Sequence, residues 1–222
     1  MLQSGAWATA RLFAVCRAVV NCMTDMRANA RPGLASPSDC AYPNGMTSTR
    51  LTPDTWLAAG FDALQELGAQ AIAAEPLARR LGTTKGSFYW HFRDVPTFQD
   101  ALLIRWQEAA LAHVANLPKS ADEADQKLRQ FGREIMKDRN EVALRIWAQR
   151  DQRVAAALNA VDNARRDYLV SLLEQLGLGN PDFARALQAT LVGLPQISPN
   201  TNTDQTAPFN TLVDTVLALA DD

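Results

Sequence analysis

Cysteine is confined to the first 45 residues of this chain, and histidine occurs only twice. Cys16, Cys22 and Cys40 all precede Met46, so residues 46–222 can hold neither a disulfide framework nor a cysteine metal site. His91 and His113 lack a neighbouring cysteine or second histidine with which to build a metal centre, and no metal is expected. No apolar run approaches the length that a membrane span requires, so no membrane partner is expected. A glycine-rich phosphate loop, a nucleophile elbow and a credible nucleophile–base pair are all missing. The chain therefore reads as a non-enzyme without a cofactor. Alternating segments flanked by turn signals are missing too, which leaves an all-α fold. The formal net charge of −2 decides nothing about nucleic acid, because distribution matters and not the sum.

Residues 1–45 differ in texture from the rest. An apolar stretch interrupted by Arg11 and Arg17 makes a poor signal peptide, and Pro32, Pro37 and Pro43 then mark a linker. The segment reads either as a disordered extension or as sequence ahead of a true start at Met46. From Thr52 the pattern is helix after helix. Thr52-Pro53 caps the first, with Leu57, Phe61 and Leu64 at helical spacing. A short helix ends at Gly82, and Thr84 caps the next. Asp94 and Pro96 open a long helix, and Ser120 with Glu123 is spaced as a capping box for the one after. "EVALRIWAQ", a long stretch to Leu176, and segments from Pro181 and from about residue 207 complete the series.

The segment "TTKGSFYWHF", residues 83–92, carries more rings than one helix stripe can bury. Phe88 and Phe92 stand four apart and share the packed face, which leaves Tyr89, Trp90 and His91 largely outside it. Each of those three tips offers a polar hydrogen to a phosphate oxygen. Gly86 lets the backbone approach a groove wall, Thr84 and Ser87 add hydroxyls, and the helix start favours an anion. Residues 76–93 contain Arg79, Arg80, Lys85 and Arg93 and no acid, a local cationic excess of the kind a DNA reader uses.

Residues 54–98 resemble the DNA-binding domain of the TetR family of bacterial transcriptional regulators. The likeness rests on "LARRLGTTKGSFYWHF", with Leu77-Ala78, Leu81-Gly82 and Gly86 at matching spacing, followed by a long fourth helix. The resemblance implies a helix-turn-helix domain over residues 46–95. A long helix would join it to a helical ligand-binding and dimerisation domain over 96–222. It also implies that Thr84, Lys85, Gly86 and Ser87 face bases and backbone, and that Tyr89, Trp90 and His91 grip phosphates. Two features depart from the family pattern. Val95 stands where many members place a lysine, and Ala73-Ala74 replace a hydroxyl cap, which implies either weaker backbone contacts or contacts moved to Arg93 and Arg79. A small-molecule effector among the central helices is implied as well. Trp106, His113, Phe131, Trp147 and Tyr168 are candidate contacts, with plain core packing as the competing reading.

One recognition helix reads only half a palindromic operator in double-stranded DNA, so a homodimer is expected. Phe183, Leu187, Leu191, Leu212, Val216 and Leu217 form stripes that could close a four-helix bundle between protomers, or simply cover the chain's own core. The expected role is ligand-responsive regulation in the bacterial cytoplasm, at the nucleoid when bound to DNA, with repression as the default. The alternative is a helical interaction module or a sequence-nonspecific DNA-binding protein.

Overall fold

The computed structural model describes residues 51–118, 123–197 and 206–219. The expectations placed on residues 1–45, their cysteines included, lie outside the described residues. Helix α1 spans Pro53–Leu67. Thr52 and Thr55 close a capping box at its start: the Thr55 N–H donates to Thr52 Oγ1 at 3.2 Å, and the Thr52 N–H to Thr55 Oγ1 at 3.4 Å. A 3-10 turn, Ala69–Ala71, leads to α2, Ala74–Arg80, and then to α3, Lys85–Tyr89. Gly82 takes φ +62° between these two short helices. The Gly82 N–H donates to the Arg79 carbonyl and the Thr83 N–H to the Ala78 carbonyl, a Schellman closure that turns the chain sharply into α3.

Asp94 starts α4, Val95–Ala115, by accepting from the Thr97 N–H at 2.8 Å and the Thr97 hydroxyl at 2.7 Å. Beyond it lie α5, Ala124–Met136, α6, Arg139–Ala148, and α7, Gln152–Gln175. Helix α8 spans Pro181–Ile197 and α9 spans Thr206–Ala218. Asp138 and Asp151 cap α6 and α7, each accepting a backbone N–H at 3.0 Å. The capping box expected of Glu123 does not form. Glu123 lies just outside α5 with φ 59° and not in its first turn, and Ser120 lies outside the described residues. The helix begins instead at Ala124, the first residue buried in the adjoining core. Thr84 likewise precedes α3 without a side-chain cap.

Two apolar cores divide the described residues. The first joins α1 to α4 with Leu144 and Trp147 of α6 and Val154, Leu158 and Val161 of α7. The second joins α5, α8 and α9 with Tyr168, Leu169, Leu172 and Leu173 from the second half of α7. Helix α7 thus runs through both, and the first core crosses the expected division at residue 95. Two glycines set the closest helix approaches. A Cβ on Gly60 would lie 2.6 Å from Leu102 Cδ1, and one on Gly132 would overlap the Phe209 ring. No helix among the described residues is long and apolar enough to cross a membrane.

Candidate nucleic-acid interface and effector cleft

Five residues are too few for a helix to persist on its own propensity, so α3 is held by its rings. Phe88 is fully buried. It meets Trp56 and Phe98 edge-on at 5.3 Å each and Phe92 at 5.5 Å, while Phe92 meets Phe98 at 4.8 Å. The Phe88–Phe92 register therefore fixes which residues face out. Tyr89 is 46% exposed and Trp90 is 88% exposed, an unusual display of large rings. Trp90 and His91 lie just past the end of α3, in the turn closed by the Phe92 N–H donating to the Phe88 carbonyl. Thr84, Lys85 and Gly86 are exposed, and Ser87 and His91 are half-buried. A Cβ on Gly86 would meet nothing closer than Thr84 Oγ1 at 3.6 Å, so internal packing does not require glycine there.

The cationic excess of residues 76–93 is smaller in space than in sequence. Arg80 lies in a two-armed pair with Glu66 of α1, at 2.6 and 2.7 Å. Arg79 pairs with Glu75 at 3.1 Å and Arg93 with Asp94 at 2.9 Å. A count restricted to residues 76–93 misses these acids because all three lie outside it. Lys85 alone of the four has no carboxylate partner among the described residues. Arg79 and Arg93 remain well exposed, and exposed pairs of this kind are weak enough to yield to phosphate. Arg80 is bound to the fold. Val95 packs on the first core, and Ala73 precedes α2 without a side-chain cap.

The second candidate site is a cleft of ≈ 830 Å³ between α4, α5 and the start of α6, with Arg165 of α7 in its wall. Trp106 and His113 line it, as the sequence suggested. The Trp106 Nε1–H donates to Asp138 at 2.9 Å, and His113 Nε2 lies 2.7 Å from Glu134 Oε2. Hydrogen bonds from the Gln130 amide, and then from His113, hold the Glu134 carboxyl below its ordinary range. Phe131 and Tyr168 are not part of this cleft. They face each other at 5.2 Å in the second core, where the Tyr168 hydroxyl donates to the Pro118 carbonyl and burial pushes its pKa up. Trp147 borders a separate cleft of ≈ 680 Å³ between α1, the 3-10 turn and α6.

Sequence reasoning missed the polar wall of the larger cleft. Asn140 Oδ1 accepts from Gln65 of α1 at 2.8 Å, and Arg105 lies 3.3 Å from Asp54 in the first turn of α1. Both Asn140 and Arg105 line the cleft, so its wall is wired to the amino-terminal helices. Behind it Arg165 and Glu141 are buried and paired at 2.6 Å, and Glu141 also takes Arg145, which reaches Asp162 at 2.7 Å. Only Glu141–Arg145, one turn apart, has a local signal; the other partners lie too far apart in sequence to leave one.

The residues expected at a dimer surface pack on the chain's own second core. Leu187, Leu191 and Val216 are buried in the chain's own second core, and Phe183, Leu212 and Leu217 are half-buried against it. They turn inward because α5 and α7 need an apolar cover. The outer strip of α8 and α9 is made of small residues instead, with Ala186, Ala189, Ala207, Thr211 and Thr215 exposed. The Thr190, Thr211 and Thr215 hydroxyls donate to carbonyls one turn earlier, at 2.9–3.0 Å.

A short-helix pair packed under a long fourth helix, followed by a helical bundle with a cleft, is a helix-turn-helix arrangement in an all-α fold. No protein-family model matches the chain. Over 77 residues it is 38% identical to the tetracycline repressor protein class A from transposon 1721 of Escherichia coli, covering 34% of each chain. It is 34% identical over 77 residues to the class G tetracycline repressor of Vibrio anguillarum, covering 34% of this chain and 35% of that one. The chain thus spans about a third of the length of the curated relatives it matches. A crystal structure of a Rhodococcus sp. protein assigned to the TetR family matches with TM-score 0.58 at 19% identity, covering 77% of this chain and all of that one. SmeT, the repressor of a Stenotrophomonas maltophilia multidrug efflux pump, matches with TM-score 0.54 at 19% identity, covering 76% and 90%. The chain thus shares a 77-residue stretch with two tetracycline repressors and the fold of a TetR-family crystal structure.

Proposed function

We propose that this protein is a ligand-responsive, DNA-binding transcriptional regulator that acts as a homodimer on a palindromic operator. Repression is its default mode, the effector is a small molecule, and the place of action is the bacterial cytoplasm. Residues 46–95 act as the DNA-binding unit and residues 96–222 as the ligand-binding and dimerisation unit. The observation that carries this reading is the outward display of Tyr89 and Trp90 beside Lys85, on a segment whose other rings lock it to the core. Thr84, Lys85, Gly86 and Ser87 approach the groove, and Tyr89, Trp90, His91, Arg93 and Arg79 bond phosphates. Dimerisation uses the small-residue strip of α8 and α9 and sets two recognition helices one DNA turn apart, about 34–36 Å.

An effector in the larger cleft reaches the DNA-binding unit through two contacts, Asn140–Gln65 and Arg105–Asp54. It alters DNA affinity only to the extent that it binds the two arrangements of α1 and α6 unequally. Fluorescence anisotropy of the full chain on the DNA upstream of its own gene, at two salt concentrations and with random competitor DNA, tests the regulator. Binding that survives the competitor is the expected result. Binding lost to competitor or to modest salt would make the protein a nonspecific DNA binder or an interaction module instead.

A further inference from the structure

The carboxylates along the larger cleft are already engaged, whereas Arg165 keeps one donor without an acceptor. Glu134 takes the Gln130 amide at 2.9 Å and His113 at 2.7 Å. Asp138 takes the Trp106 indole at 2.9 Å and the Asn140 N–H at 3.0 Å, and Asn140 Oδ1 takes Gln65 at 2.8 Å. On the donor side stands Arg165, 5% exposed, with one arm on Glu141 Oε2 at 2.6 Å. Its Nε–H is shut off from solvent and meets no acceptor. Exposed Lys137 at the cleft's edge forms no ion pair among the described residues. A buried guanidinium N–H without an acceptor keeps its desolvation cost unrelieved, and a carboxylate relieves it best.

A cationic ligand would meet Arg165, Arg105 and Lys137 and find both carboxylates capped. A neutral one could offer the Arg165 donor only an uncharged acceptor, a weaker partner than a carboxylate. The remaining wall, Phe61, Trp106, Ala110 and Ile135, is apolar and gives a ligand body something to lie against.

We propose that this cleft takes an amphipathic monoacid, its carboxylate on the Arg165 guanidinium and its apolar body against Phe61, Trp106 and Ile135. This rests on reading the cleft as the effector site and names the chemical class of the effector. Such an acid also places a negative charge near Arg105 and so competes with Asp54 for it, which loosens one of the two ties to α1.

Calorimetric titration of the full chain with 4-phenylbutyrate and with decanoate, each beside its primary amide and its amine, tests the assignment. At least one acid binds, its amide binds at least about tenfold more weakly, and its amine more weakly still. Arg165→Lys keeps a cation opposite Glu141 but loses the planar fork, so a variant that melts like the wild type binds the acid at least about tenfold more weakly. Its amide affinity stays the same. Arg165→Gln gives the same loss for the acid if it folds. Absence of binding by both acids overturns the proposal. So does an amide or amine that binds as well as its acid, or an unchanged acid affinity in Arg165→Lys. Calorimetry needs no DNA, so failure to bind an operator would remove the regulator and leave the acid site standing. Equal binding of acid and amide would do the reverse.

Discussion

Two neighbouring aromatic residues carry opposite duties at the recognition segment. Phe88 has no exposed surface and touches three other core rings, so Phe88→Ala should lower stability by about 3–5 kcal/mol in a thermal or urea melt. Lys85 is exposed, and Tyr89→Phe keeps the ring that meets Phe88 edge-on at 5.3 Å, so Tyr89→Phe and Lys85→Ala should leave the melt unchanged and weaken operator binding severalfold in anisotropy titrations. Unchanged affinity in both would remove the ring cluster from the DNA contact. The spacing of Phe88 and Phe92 made this division legible in sequence. The pairing of Arg80 with Glu66 was not, because they stand fourteen positions apart across a turn.

At the scale of elements, caps and close approaches decide where helices sit. The Thr97 hydroxyl and amide, then Arg93, hold the Asp94 carboxyl down to about 2 from its ordinary 3.8. A folded-state value below the unfolded one means that the charged cap stabilises α4 above the ordinary carboxylate range. That contribution is lost as pH falls through about 2. Wild type should therefore exceed Asp94→Asn in stability at about pH 5, with the difference vanishing near about pH 2 in an acid titration followed by circular dichroism. Gly132 allows the Phe209 ring to lie directly on α5. Gly132→Ala forces that ring away and should cost about 1–3 kcal/mol in a denaturant melt, with α9 losing amide protection first. The capping residues Thr52 and Asp94 could be read from local sequence. Gly132 could not, because its meaning lies in a ring 77 positions away.

For the whole molecule, the inward turn of Leu187, Leu191 and Val216 relocates the proposed dimer surface to the small-residue strip of α8 and α9. Ala189→Arg with Thr215→Arg should give monomers by sedimentation with unchanged helicity and greatly weakened operator binding. A dimer that survives both substitutions would refute that surface. Leu191→Glu should destabilise the second core, because it places a charge where a nearly fully buried leucine packs.

The sequence by itself determined the all-α class, the helix order, the turn at Gly82 and the outward rings of Tyr89 and Trp90. Those features rest on interactions within a few residues: helical period, caps, a left-handed glycine and one i,i+4 ring pair. The cleft, the buried Arg165–Glu141–Arg145–Asp162 cluster and the direction of the α8 and α9 stripes were decided only by tertiary structure. An amphipathic helix says that one face is covered but not by what. Whether Leu191 meets a second copy or its own chain depends on where α5 and α7 stand, and Arg165 acquires meaning only once Glu141 lies beside it.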